Sequence, residues 1–492
     1  MALVFLRGSL WPFKLIMQKS VLIRIFVPFF FLAFVLSQLF LYTGCANIVP
    51  PEGGLKDTLP PVLVKANPAN LNRNFTNDRI TFTFDEYVDL ENYQQNVIIS
   101  PLPVNMPTMT RKLNTITIKL RDSVEQNTTY SFNFGDSIKE VNEGNIMKDF
   151  VYTYSTGRYI DSLQFSGRVI LAETGVPDST LTVMLYKDLD DSAVINKRPR
   201  YITKLNNNGN FTFHNIPPGV FRVFAMKDEG AYRYLSQKQL FAFADSAIQV
   251  NSNTDSVTLY AYVADTTGNQ TPKTAAPPNR NARAETGPKR LKFSSNLIAG
   301  RQELTNKLII TFETKLRTFD STKVQVSTDT TYTPVTNYSW SLDSNRRVLT
   351  LLHPWRENTL YNLILEKDFA TDTLGQQLLK RDTLSFTTKS KADYGDIRIR
   401  FRNLDLSKNP VLQFVQGDVL KYSFPLTSQQ ISLTLLEPGD YGLRILNDNN
   451  KNGKWDPGIF FGKHKQPEIV KPVARKTTTI KAGLDNQIEI AL

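Results

Sequence analysis

At 492 residues, with 31 Phe, 19 Tyr and one Cys, the chain is long enough for several hydrophobic cores and cannot hold them together with internal disulfides. Its net charge of +12 is spread along the sequence, with no Lys/Arg block and no basic stripe interleaved with aromatics. That pattern argues against nucleic acid as a partner and leaves only general attraction to anionic surfaces.

Ile25 to Leu41 is an apolar run behind Lys19 and Arg24, the order of charge and hydropathy in a secretory signal. Met17 offers a later start. The competing reading is a retained membrane helix, although the run is short for a bilayer and carries Pro28, Ser37 and Gln38. No Lys or Arg follows until Lys56, so either reading exports the rest of the chain. Leu41-Tyr42-Thr43-Gly44-Cys45 resembles the lipobox of bacterial lipoproteins, with Tyr42 where that family carries an aliphatic residue. The resemblance implies removal of residues 1–44 as a signal peptide and multiple acylation of Cys45. More than one acyl chain is what makes such an anchor stable. Removal also takes away four cations and no acids, so the net charge falls to +8. Residues 45–57 are rich in Pro and Gly and read as an extended tether. Lipoproteins exported to the surface in some Gram-negative groups carry acids directly after the Cys. Here the first acid is Glu52, so the expectation is the periplasmic face of the outer membrane.

From residue 58 the pattern is all-β. "RITFTF" (79–84), "NTITIKL" (114–120) and "TYSFNF" (129–134) alternate polar and apolar side chains, as strands with one buried face do. With the opening "PPVLVKANPAN", residues 58–157 resemble the bacterial Ig-like domain of S-layer proteins. Residues 158–264 resemble the prealbumin-like, or carboxypeptidase-regulatory-like, sandwich. Gly167, Val169, Gly209, Phe211, Phe213, Pro218 and Gly219 fill its G-x-V strand, G-x-F-x-F strand and Pro-Gly turn. Residues 265–290 are poor in apolar side chains and read as a flexible linker about which two halves pivot. The pair then repeats. "NTTYSFNF" from Asn127 matches "NTLYNLIL" from Asn358, and "PGVFRVFAMKD" from Pro218 matches "PGDYGLRILND" from Pro438. The expected layout is therefore Ig-like (58–157), prealbumin-like (158–264), linker, a divergent Ig-like copy (291–390) and prealbumin-like (391–492).

The sharpest chemical motif is "NDNNKNGKWDPG" (447–458). Asp448, Asn450, Asn452 and Asp456 stand at positions 1, 3, 5 and 9 of a loop with Gly453 at position 6, the spacing of oxygen ligands in calcium loops. Only two of the four are carboxylates, and Ile459 occupies position 12. An Asn-Gly turn with no ion fits equally. Asp85, Glu86, Asp89 and Glu91 form an acidic loop in which paired carboxylates could serve a hydrolase, against a solvated strand-end loop. His214, His353 and His464 are far apart in sequence, and no nucleophile elbow, P-loop or dinucleotide fingerprint is present. Trp355, Trp455, Phe460 and Phe461 lie near turns, either as exposed anchors for protein or glycan or as plugs of a sandwich end.

These features lead to a non-catalytic, lipid-anchored envelope protein whose partners are outer-membrane lipid and other envelope proteins. The rival readings are a glycan-binding accessory of a polysaccharide uptake system and a hydrolase with an unfamiliar site.

Overall fold

The computed structural model describes residues 31–32, 56–252, 254–264, 290–473 and 477–492. The chain divides into two compact units, Met1–Leu59 and Pro60–Leu492; the fold below belongs to the second. It is a series of β-sandwiches.

In the first sandwich Arg79–Phe84 pairs antiparallel with Leu63–Asn67 and with Thr115–Lys119. A facing sheet holds Val151–Ser155, Thr129–Asn133 and Ile98–Ser100 in that order. The alternation does what period two requires: Ile80, Phe82 and Phe84 point inward against Phe132, Tyr152 and Tyr154.

The second sandwich closes by a pairing between distant strands. Leu163–Leu171 runs parallel to Val257–Val263 and antiparallel to Asn210–Ile216. Gly167 sits where these strands are closest. A Cβ there would lie 2.4 Å from the Val257 carbonyl oxygen and 2.5 Å from the Phe211 ring, so only Gly fits. The last sandwich has the same device: Gly395–Arg402 runs parallel to Asp485–Ala491 and antiparallel to Gln430–Leu436. Between them, Leu308–Phe312 and Val348–Leu352 pack against Val324–Thr328 and Leu360–Leu365 around Ile310, Leu349 and Leu363.

One sheet of the second sandwich is buried on both faces. Leu181–Tyr186 pairs with Gly219–Lys227, which pairs with Leu240–Phe243. Val183, Leu185, Val223 and Ala225 face the core within that sandwich. Their neighbours Met184, Tyr186, Phe224 and Met226 face outward, yet are buried in a separate apolar cluster with Phe241, Phe243 and Phe460. Phe460 comes from the last sandwich. Its ring lies 5.4 Å from Phe224, 5.4 Å from Phe241 and 4.9 Å from Phe243, with His464 stacked on it at 5.0 Å. Polar bonds frame the plug: His464 Nε2 meets Asp191 Oδ2 at 2.5 Å, and Gln466 Nε2 donates to the Phe243 carbonyl (3.1 Å) and to Asp245 Oδ1 (2.7 Å). The Val470 amide donates to the Ala172 carbonyl at 2.8 Å. Gly458 lets the loop lie flat on the sheet, since a Cβ there would stand 2.7 Å from the Tyr262 ring.

This clasp corrects one expectation. The halves on either side of 265–290 do not pivot freely, because the second and last sandwiches are packed on each other across the apolar outer sheet face. The cause is the chemistry of that face: a sheet apolar on both sides must be covered on both. Truncating a buried phenylalanine removes its transfer energy and leaves a cavity, so Phe460→Ala is expected to cost about 3 kcal/mol. A chemical-denaturation midpoint equal to wild type would contradict the clasp.

Candidate functional site

The loop after Gly439–Asn447 is the most organised polar feature that the sequence singled out. Asp448 is buried, its Oδ2 accepting from the Gly453 amide (2.6 Å) and its Oδ1 from the Asn452 amide (3.2 Å). Gly453 has φ +74°, a left-handed conformation that favours Gly. The Asn450 and Asn452 side-chain amides both donate to Asp456 Oδ2, Asn452 at 2.7 Å. Asp448, Asn450, Asn452 and Asp456 are therefore brought together as their spacing requires. In the second sandwich the aligned Asp228 plays only the first of these parts, accepting from the Tyr232 amide at 2.7 Å.

Sequence reasoning missed Glu468. This carboxylate is 1% exposed and fastens the loop from behind. Its Oε1 accepts from the Asn449 amide (2.7 Å) and its Oε2 from the Asp456 amide (3.1 Å), while its carbonyl accepts from Trp455 Nε1 (2.7 Å). Burial pushes the Glu468 carboxyl above its ordinary range, and the charges of Asp448 and Asp456 add to the rise. The local signal was weak: an acid after "KQP", twelve residues beyond Asp456, reaches the loop only because the chain doubles back into Ile469–Pro472, which pairs with Gly439–Asn447. Among the described residues no group of three or more His, Cys, Asp or Glu side chains is arranged to hold a metal ion.

The aromatics near turns divide. Phe460 is a plug, Trp455 is half-buried, and Phe461 is 40% exposed. Trp355 is half-buried too, its Nε1 donating to the Asn306 carbonyl at 3.0 Å and its ring meeting Tyr361 edge-on at 5.0 Å. His353 completes that corner, with Nε2 3.2 Å from the Tyr361 hydroxyl.

The acidic loop is held by separate partners. Asp85 Oδ1 accepts from the Val62 amide at 2.7 Å, Asp89 pairs with Arg111 at 2.6 Å, and Glu91 pairs with Lys139. A carboxylate pair across a cleft, as a hydrolase would need, is not what these contacts build. His214, His353 and His464 belong to different surroundings: a surface groove, the Trp355 corner and the clasp.

Cys45, with residues 33–55 around it, and most of the 265–290 linker lie outside the described residues. Among those described, no helix is long and apolar enough to cross a membrane.

Comparison with known proteins bears on one region. Residues 57–156 match the family described as bacterial Ig-like domain, over nearly the span its strands occupy. No curated protein matches the chain. Among solved structures, the Bacillus anthracis TIE protein is 11% identical over 90% of this chain and 75% of its own, with a TM-score of 0.17. BcpA, the major pilin subunit of Bacillus cereus, is 8% identical over 67% of this chain and 99% of its own, with a TM-score of 0.15. The S-layer protein rSbsC(31-844) is 9% identical over 87% and 54%, with a TM-score of 0.16. Superpositions this loose carry no argument about function. The first sandwich is thus similar to bacterial Ig-like domains, and the rest of the chain stands on its own geometry.

Proposed function

We propose that the protein is a non-catalytic envelope component, anchored in the outer membrane through acylated Cys45, that scaffolds or binds other envelope proteins. The observation that carries this reading is the clasp. It packs two regions far apart in sequence on each other, which suits a strut that holds a partner at a fixed place. The anchor adds effective concentration, so modest contacts with a membrane partner suffice. A protein partner is favoured over a glycan because Trp355 and Trp455 both turn their indole N–H inward, onto Asn306 and Glu468. The periplasmic face follows from the lack of acids directly after Cys45. Crosslinking followed by mild detergent extraction should recover the chain with an outer-membrane protein, and Cys45→Ser should move it to the soluble fraction. Recovery as free monomer would remove the scaffold reading; membrane retention of the Ser variant would remove the lipid anchor.

We also propose that the 447–458 loop takes calcium through Asp448, Asn450, Asn452 and Asp456, four oxygen-bearing side chains gathered around the tight turn at Gly453. Asp448 and Asp456 form no ion pair with Lys, Arg or His among the described residues, and the Asn450 and Asn452 side chains converge on Asp456. Calcium accepts amide as well as carboxylate oxygens, and a half-turn of the two Asn amides would present them. Calorimetric titration of the full chain with calcium is expected to give one site, lost in Asp448→Asn. Absence of heat at millimolar calcium would leave the loop as a turn.

A further inference from the structure

One end of the first sandwich exposes apolar side chains from four separate loops. Val62, Tyr87, Leu113 and Val141 are each 50–60% exposed. Hydrogen bonds draw their loops together. The Asp85 amide donates to the Val62 carbonyl (3.1 Å) and the Val62 amide to Asp85 Oδ1 (2.7 Å). The Val141 amide donates to the Tyr87 carbonyl (3.0 Å), and the Val88 amide to the Leu113 carbonyl (3.2 Å). Strand directions explain the meeting. Leu63–Asn67 begins where Arg79–Phe84 ends and where Thr115–Lys119 begins, and Val88–Leu90 begins beside the end of Ile138–Glu140.

The fold does not ask for these side chains. None of the four belongs to the core of the sandwich. Leu113 stands at a hairpin tip with φ +55°, a left-handed conformation that costs Leu more than Gly or Asn. Apolar residues exposed singly need no account, whereas a group gathered on one surface marks a contact.

What that contact is follows from where the chain comes in. Val62 directly precedes the first strand, so the segment from Cys45 enters the sandwich at this end. The opposite end carries the 120–125 loop, tied by Glu125 to Arg200 of the second sandwich (2.5 and 2.6 Å). Val62 stands seventeen positions after Cys45, a reach of at most about 60 Å. Of the surfaces on the folded chain, this end is the nearest along the backbone to a lipid anchor at Cys45. Tethering raises the effective concentration of the bilayer, so a contact too weak for a free protein becomes occupied. Tyr suits the boundary between headgroups and acyl chains, with an apolar ring and a hydroxyl left in water.

Charge selects the lipid. The four loops carry Asp85, Glu86 and Glu143 against Lys112, while Asp89 and Glu91 behind them pair with Arg111 and Lys139. Although the chain as a whole is basic, an anionic surface would be repelled by this end and a zwitterionic one would not.

We infer that Val62, Tyr87, Leu113 and Val141 form a docking surface for the zwitterionic face of the membrane that holds Cys45, seating the first sandwich end-on against the lipid. Such a seat rests on the lipid-anchor reading. Its test supplies an anchor of its own, so failure of the seat and failure of natural acylation are told apart.

The chain from Cys45 to Leu492 is coupled through Cys45 to a maleimide lipid in phosphatidylcholine vesicles. These vesicles also contain a phospholipid with a photoreactive diazirine in its acyl chain, and labelled peptides are mapped by mass spectrometry after illumination. Labelling is expected to concentrate on peptides holding Tyr87, Leu113 and Val141. It should fall about tenfold in the combined variant Tyr87→Ser, Leu113→Asn, Val141→Ser, which removes three apolar groups from the contact. The replaced side chains are exposed, so the variant should melt as wild type does; if it does not, the wild-type map alone decides. Replacing half the phosphatidylcholine by phosphatidylglycerol is expected to weaken the labelling. Absence of label from these peptides, label concentrated elsewhere, equal labelling of a folded variant, or labelling that strengthens with phosphatidylglycerol would each overturn the inference. Sedimentation of the Cys45-blocked chain as a dimer that the variant abolishes would do the same, since a second copy would then cover this end.

Discussion

Burial of Phe460 against an apolar sheet face is the contact on which the architecture turns. Without it the strands Gly219–Lys227 and Leu240–Phe243 would lose the cover of Phe224, Phe241 and Phe243, the three rings that Phe460 meets. At roughly 1.5–3 kcal/mol for each large side chain kept from solvent, that outweighs an exposed ion pair, worth about 0–1 kcal/mol. The flanking bonds, from His464 to Asp191 and from Gln466 to Phe243 and Asp245, fix the orientation of a contact whose strength is apolar. Arg222 contributes from beneath, pairing with Asp191 at 3.2 Å and so holding the carboxylate that His464 meets.

The polar loop and the clasp are one continuous segment. Asp448 and Glu468 bracket it, and between them Trp455 packs at the border of the clasp cluster and Phe460 plugs it. The buried carboxylates hold backbone amides that would otherwise be unsatisfied in a turn this tight. The conformation that presents Phe460 to the neighbouring sandwich thus depends on a polar network one turn away. Occupancy of the loop by a cation would stiffen the same segment that joins the two sandwiches, coupling ion binding to the rigidity of the whole.

Much of the fold could be read from the sequence because it is written in period two. "RITFTF" becomes the strand Arg79–Phe84 with its Ile and Phe inward, and the G-x-V and G-x-F-x-F signatures become Leu163–Leu171 and Asn210–Ile216. The clasp was harder to see, since "WDPGIFFGK" has the Pro and Gly of an exposed turn and its partner lies more than 200 residues away. A signal was nonetheless present. "VMLY" (183–186) and "VFAM" (223–226) are unbroken apolar runs, not alternating ones, and in an antiparallel sheet such a run means that both faces are covered. The polar contacts among Asp448 to Asp456 were legible because they are local. Glu468 and the apolar end of the first sandwich were not, since each needs tertiary structure to bring its parts together.

The claim that non-adjacent sandwiches form one body is most directly tested by cutting the chain between them. A protease site inserted between Ala275 and Ala276, followed by complete cleavage and size-exclusion chromatography without denaturant, separates covalent from non-covalent connection. The account predicts that the two fragments co-elute at the size of the intact chain and part only when Phe460→Ala is also present. Separation of the wild-type fragments on cleavage would contradict it.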